Sequence, residues 1–92
     1  MRFAHGRAAA LAARGVGDAA IRFDLEQQGV GAELAETAIA GLEPESERAR
    51  AQAAALGGGR KAARALARRG FAEESFEAFL FDVAREGEGS VG

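Results

Sequence analysis

The chain has 92 residues, with 12 Lys or Arg, 14 Asp or Glu, no Cys and a formal net charge of -2. Such a length provides for one small domain, and the missing thiols exclude disulfides, zinc knuckles and cysteine catalysis and fit a reducing, cytoplasmic setting. Of its 44 apolar residues 24 are alanine, leaving seven Leu, six Phe, four Val, two Ile and one Met for a core, so a thin core and modest stability are expected.

Alanine is the strongest intrinsic helix former, whereas Val, Ile and Thr together supply only seven residues, too few for a sheet. The chain reads as all-α. Its first helix carries the run Ala8 to Ala13 between Arg7 and Arg14, too short and weakly apolar for a membrane span or a signal peptide. The acid-free, Arg- and Ala-rich start has the composition of a transit peptide, but the chain is expected to stay where it is made.

Three times a leucine is followed four residues later by glycine and then an apolar residue: Leu11, Gly15, Val16; Leu25, Gly29, Val30; Leu66, Gly70, Phe71. With glycine just past the helix end in the left-handed conformation, the leucine and the second apolar residue meet as a Schellman cap requires, so Gly15, Gly29 and Gly70 are predicted helix-ending positions. Asp18 starts a second helix with Ile21 and Leu25 inward, and Leu34, Ala35, Ala38, Ile39 and Leu42 mark a third. Pro44 is placed in the first turn of a fourth, where Glu45 and Glu47 suit the N-terminal dipole and Ala49, Ala53 and Leu56 form the inner stripe. Gly57, Gly58 and Gly59 break it. Residues 60–69 and about 72–85 supply two more helices, the last with Phe76, Phe79, Leu80 and Val83 on one face. A self-similarity at an offset of 41 residues pairs Leu25 with Leu66, Gly29 with Gly70, Glu33 with Glu74 and Ile39 with Leu80. The prediction is two three-helix units, residues 1–43 and 44–86, forming a small elongated, curved bundle with a frayed tail at 87–92. Each unit buries little, so the two are expected to pack on each other or on something else.

The chemical inventory is poor: one histidine, His5, three serines and no tyrosine. No nucleophile, acid/base pair, metal cluster or cofactor site suggests itself, and an enzyme is not expected. Gly15, Gly17 and Ala20 imitate a dinucleotide fingerprint, but a helix precedes them where that motif needs a strand. The run from Gly57 to Lys61 lacks the spacing of a phosphate loop. Charge is blocked along the chain: residues 18–47 hold eight acids against Arg22 alone, and residues 48–69 hold seven bases and no acid. On a helical wheel Arg60, Lys61, Arg64 and Arg68 lie within about 100° of one another, opposite Ala62 and Leu66. This stripe either meets phosphates or an acidic groove, or keeps an alanine-rich helix soluble by pairing with the acidic helix after it. Phe23 and Phe81 fall off the apolar stripes of their helices and either fill the joint between the units or form an exposed contact patch; with large residues scarce, the joint is the expectation, and a partner-facing role stays open.

Arg2-Phe3-Ala4, Arg14-Gly15-Val16-Gly17, Ile21, Leu25, Gly29-Val30 and the helix from Glu33 to Ile39 together resemble the second repeat of the RecX family. Leu66-Ala67-Arg68-Arg69-Gly70-Phe71, with Glu74, Phe76 and Leu80 after it, is similar to that family's third repeat; the resemblance spans about residues 2–84. It implies tandem three-helix repeats that lodge without catalysis in the groove of a RecA filament on DNA and restrain it. The family matches imply Arg14, Arg22, Arg64, Arg68 and Arg69 as contacts, and the stripe adds Arg60 and Lys61. The implied partners are RecA and DNA phosphates, with no membrane and no small-molecule substrate. The chain departs from the pattern where Asp18 and Asp24 stand in place of basic residues, at the triple glycine, and in lacking a counterpart of the first repeat. A stand-alone nucleic-acid-binding module and a truncated fragment with a structural or dimerisation role remain alternatives, although a pI near 5.4 argues against the former.

Overall fold

The structure, a computed structural model, describes residues 2–77. They form the helices α1 (Arg2–Ala13), α2 (Asp18–Gln27), α3 (Ala32–Ala40), α4 (Glu45–Ala55) and α5 (Gly59–Arg68). A sixth, α6, is helical over the described residues 73–77. The protein is all-α. Phe79, Phe81, Leu80, Val83 and the tail at 87–92 lie outside the described residues.

The glycine spacing does what the caps require. Gly15, Gly29 and Gly70 have φ of 83°, 84° and 91°, a conformation in which a Cβ is strained. Each cap closes with two backbone bonds. Val16, Val30 and Phe71 donate N–H to the carbonyls of Leu11, Leu25 and Leu66 at 3.1, 3.0 and 3.0 Å, and each glycine donates to the residue after that leucine. Gly57 ends α4 in the same way, with Gly58 donating to Ala53 O at 2.9 Å. Part of the triple glycine is therefore a fourth cap as well as a break. Pro44 is not in the first turn; its ψ of 141° is extended, and the helix starts at Glu45 after it.

The offset of 41 residues holds in three dimensions. α2 and α5 are both ten residues long and start 41 apart, at 18 and 59, while α3 and α6 start at 32 and 73. Leu25 and Leu66 are both fully buried, and so are Ala8 and Ala49, which extends the relation to α1 and α4.

Two separate apolar clusters result. Ala4, Ala8, Ile21, Leu25, Ala35, Ala38 and Ile39 form the first, from α1, α2 and α3. Ala49, Ala53, Ala62, Leu66, Phe71 and Phe76 form the second. Alanines at the helix contacts let the backbones close in, so three large buried side chains suffice in each cluster. Among the described residues the two clusters do not merge into one core. The molecule is elongated, 52 × 19 × 19 Å. No helix among the described residues is long and apolar enough to cross a membrane.

Candidate functional site

α5 places its apolar side inward through Ala62 and Leu66, both fully buried, and by helical geometry the opposite side carries Arg60, Lys61, Arg64 and Arg68. All four are exposed. None of them pairs with a carboxylate among the described residues. Helix α5 has no acid in its first turn, so nothing on it offsets the stripe's field. Arg14, in the turn between α1 and α2, is exposed as well.

Two other candidates are engaged. Arg22 forms an ion pair with Glu36 of α3, with Nη2 donating to Oε1 at 3.0 Å. This hydrogen bond holds the Glu36 carboxyl below its ordinary range and raises Arg22. Arg69 donates from Nη1 to Gln52 Oε1 at 2.8 Å, which steers its guanidinium across the face of α4.

The orientation of α5 relative to the first unit is set at a joint that sequence reasoning did not identify. Gly17 N–H donates to Arg69 O at 2.7 Å, and Ala19 N–H to Gly70 O at 3.2 Å, so the start of α2 is fastened to the end of α5. The backbones touch: a Cβ on Gly17 would overlap the main chain of Gly70 and Phe71, and one on Gly70 would fall 2.7 Å from Ala20 N. Of the residues that imitated a dinucleotide fingerprint, Gly17 and Ala20 thus serve a close packing of main chain on main chain, while Gly15 lies against the side chains of Gln52 and Arg69.

Around this contact lies a charged cluster. Arg48, with its side chain only 10% exposed, pairs with Asp18. Its Nη1 donates to Val16 O at 3.0 Å and its Nε to Glu43 O at 2.9 Å, and its guanidinium sits 5.9 Å from the centroid of Phe71. Glu45 accepts from Asp18 N–H at 2.6 Å through Oε2, and from Ala72 N–H at 3.0 Å and the Ser75 hydroxyl through Oε1. One carboxylate thereby caps the starts of both α2 and α6. That role matters because the residues preceding α2 to α5 are Gly17, Gly31, Pro44 and Gly58, none making a side-chain cap bond of its own. The sequence signal for Glu45 was its place in the first turn of α4, which explains an acid there without revealing distant donors.

Phe23 does not fill the joint; it is 63% exposed. The charged cluster and the glycine contact occupy that space, and Ile21 and Leu25 supply the buried side of α2. Asp18 and Asp24 of α2 are paired with Arg48 and Arg7.

Comparison of the chain with protein-family models, with curated proteins and with solved structures finds no match.

Proposed function

We propose that this chain is a non-catalytic regulatory protein that docks along a RecA filament on DNA and restrains its activity in recombination and repair. The observation that carries the reading is the α5 stripe: Arg60, Lys61, Arg64 and Arg68 are exposed on one helix face with no carboxylate partner among the described residues. A cationic row of this kind suits a groove walled by protein and floored by phosphates. The tandem arrangement of two three-helix units supports it, since an elongated row of helices offers a long surface and little enclosed space for a substrate. The RecX-like run from Leu66 to Phe71 caps the stripe's own helix. Arg14 extends the candidate surface toward the first unit, while Arg22 is tied to Glu36.

The test is RecA's DNA-dependent ATP hydrolysis and strand exchange with the protein at substoichiometric ratios. The wild-type chain is expected to lower both, and Arg64→Glu with Arg68→Glu to restore them while leaving the helical circular dichroism unchanged. RecA rates unaffected by an excess of wild-type protein reject the reading. Tight, salt-sensitive binding to DNA alone, with no effect on RecA, would establish a nucleic-acid-binding module in its place.

A further inference from the structure

The offset of 41 residues relates the surfaces of the two units as well as their cores. Arg60, Arg64 and Arg68 on α5 correspond to Ala19, Phe23 and Gln27 on α2. All three of these α2 residues are exposed. Lys61 corresponds to Ala20, which packs against Gly70 at the joint. So at the register where one unit presents a row of cations, the other presents an uncharged row with a phenylalanine at its centre. In a chain so short of large apolar residues, leaving Phe23 63% exposed is a feature to explain.

The charge around Phe23 selects its occupant. Glu26, one helical turn further along α2, is exposed, and the nearest cation, Arg22, is neutralised by Glu36. Residues 2–43 hold six acids and four arginines, and with Arg7 paired to Asp24 and Arg22 to Glu36, Glu26 is the exposed charge left beside Phe23. A nucleic-acid strand stacking on Phe23 would bring its phosphates against this carboxylate in a unit of net negative charge, at an electrostatic cost. A protein surface with an apolar pocket and basic groups at its rim has the complementary charge, and a large aromatic entering such a pocket is the usual anchor of an interface.

Resting on the docking function proposed above, we infer that the α2 face centred on Phe23 is a second docking surface, one that takes a basic-rimmed apolar pocket of the protein partner. The molecule then binds with a fixed polarity. Its acidic first unit faces the recombinase, and the cationic stripe of its second unit faces the phosphates.

The experiment titrates fluorescently labelled wild-type, Phe23→Ala, Phe23→Leu and Arg64→Glu proteins onto RecA filaments assembled on single-stranded DNA, and onto the same DNA alone, at several salt concentrations. Because Phe23 is exposed, the variants are expected to melt like the wild type. Phe23→Ala is expected to weaken filament binding about tenfold or more without changing its salt dependence, and Phe23→Leu to weaken it less. Arg64→Glu is expected to flatten the salt dependence. If the wild-type chain binds filaments and Phe23→Ala binds equally well, the inference is overturned while the proposed function stands. An equal loss on bare DNA shows that Phe23 meets nucleic acid and overturns it too. No binding of the wild-type chain to filaments overturns both.

Discussion

Gly17 and Gly70 meet across the joint, and each tolerates no side chain for a different combination of reasons. Gly70 has φ of 91°, and a Cβ there would fall 2.5 Å from that of Ala20. Gly17 has no left-handed backbone, but its Cβ would overlap the main chain of Gly70 and Phe71. Gly29, the counterpart of Gly70 in the repeat, shares the positive φ with nothing within 4 Å, so it isolates the conformational part. Gly29→Ala is therefore expected to cost about 1 to 2 kcal/mol, and Gly70→Ala clearly more, because backbone must move as well. Urea denaturation of the two variants measures the difference directly, and equal midpoints would show that the joint yields. The positive φ at both positions was legible in the sequence, because a cap is a local device and the Leu-to-Gly spacing encodes all of it. The intolerance at Gly17 was not, because the demand comes from residues far along the chain.

Arginine–carboxylate pairs join helices in this protein alongside the apolar clusters. Arg7 of α1 pairs with Asp24 of α2, and Arg22 of α2 with Glu36 of α3. Hydrogen bonding to the guanidinium stabilises the charged carboxylate, so Asp24 and Glu36 both titrate below their ordinary range. A lowered folded pKa contributes stability that is present above the unfolded value and is lost as pH falls through the folded one. Acid unfolding should thus steepen below about pH 4, near the ordinary carboxylate pKa. Asp24→Asn combined with Glu36→Gln should flatten that limb while leaving the neutral and alkaline side of the profile level. Thermal melts at a series of pH values check this, and raised salt should reduce the effect because both carboxylates are partly exposed. The charge blocks were visible in the sequence as alternating acidic and basic stretches. What they could not convey is which acids are consumed internally: Asp18, Asp24 and Glu36 are, whereas the stripe on α5 finds no carboxylate among the described residues.

The two units keep their own apolar clusters, so the relation between them rests on the glycine contact and on the bonds of Arg48 and Glu45. The all-α class, the helix ends at Gly15, Gly29 and Gly70 and the exposed face of α5 were accessible from alanine content, helix-ending glycines and a helical wheel, all of which follow from spacing within one helix or turn. The joint was not, because its parts are single residues of ordinary type, Asp18, Glu45 and Arg48, whose partners lie on other helices. Phe23 was misplaced for the same reason, since an apolar residue was assumed to fill a space that charge and backbone fill. Removing one member of a largely buried ion pair leaves the other unpaired and costs about 3 to 5 kcal/mol when burial is complete. Asp18 is 26% exposed, so Arg48→Ala should fall below that range, at about 2 kcal/mol. Because neither apolar cluster contains Arg48, the helices should survive, and the loss should appear as freedom between the units: unchanged circular dichroism at low temperature, a broader melting transition and a wider distribution of dimensions in small-angle scattering. On the proposed docking, that freedom has a functional cost. Two faces held at a fixed separation bind as one, since the first contact places the second at high effective concentration, whereas faces on a loose joint lose this advantage. Arg48→Ala should therefore weaken filament binding about tenfold although it removes no docking side chain, and the salt dependence should persist because the cations of α5 still reach their phosphates. Filament affinity equal to that of the wild type would show that each unit docks independently and that the joint serves stability alone.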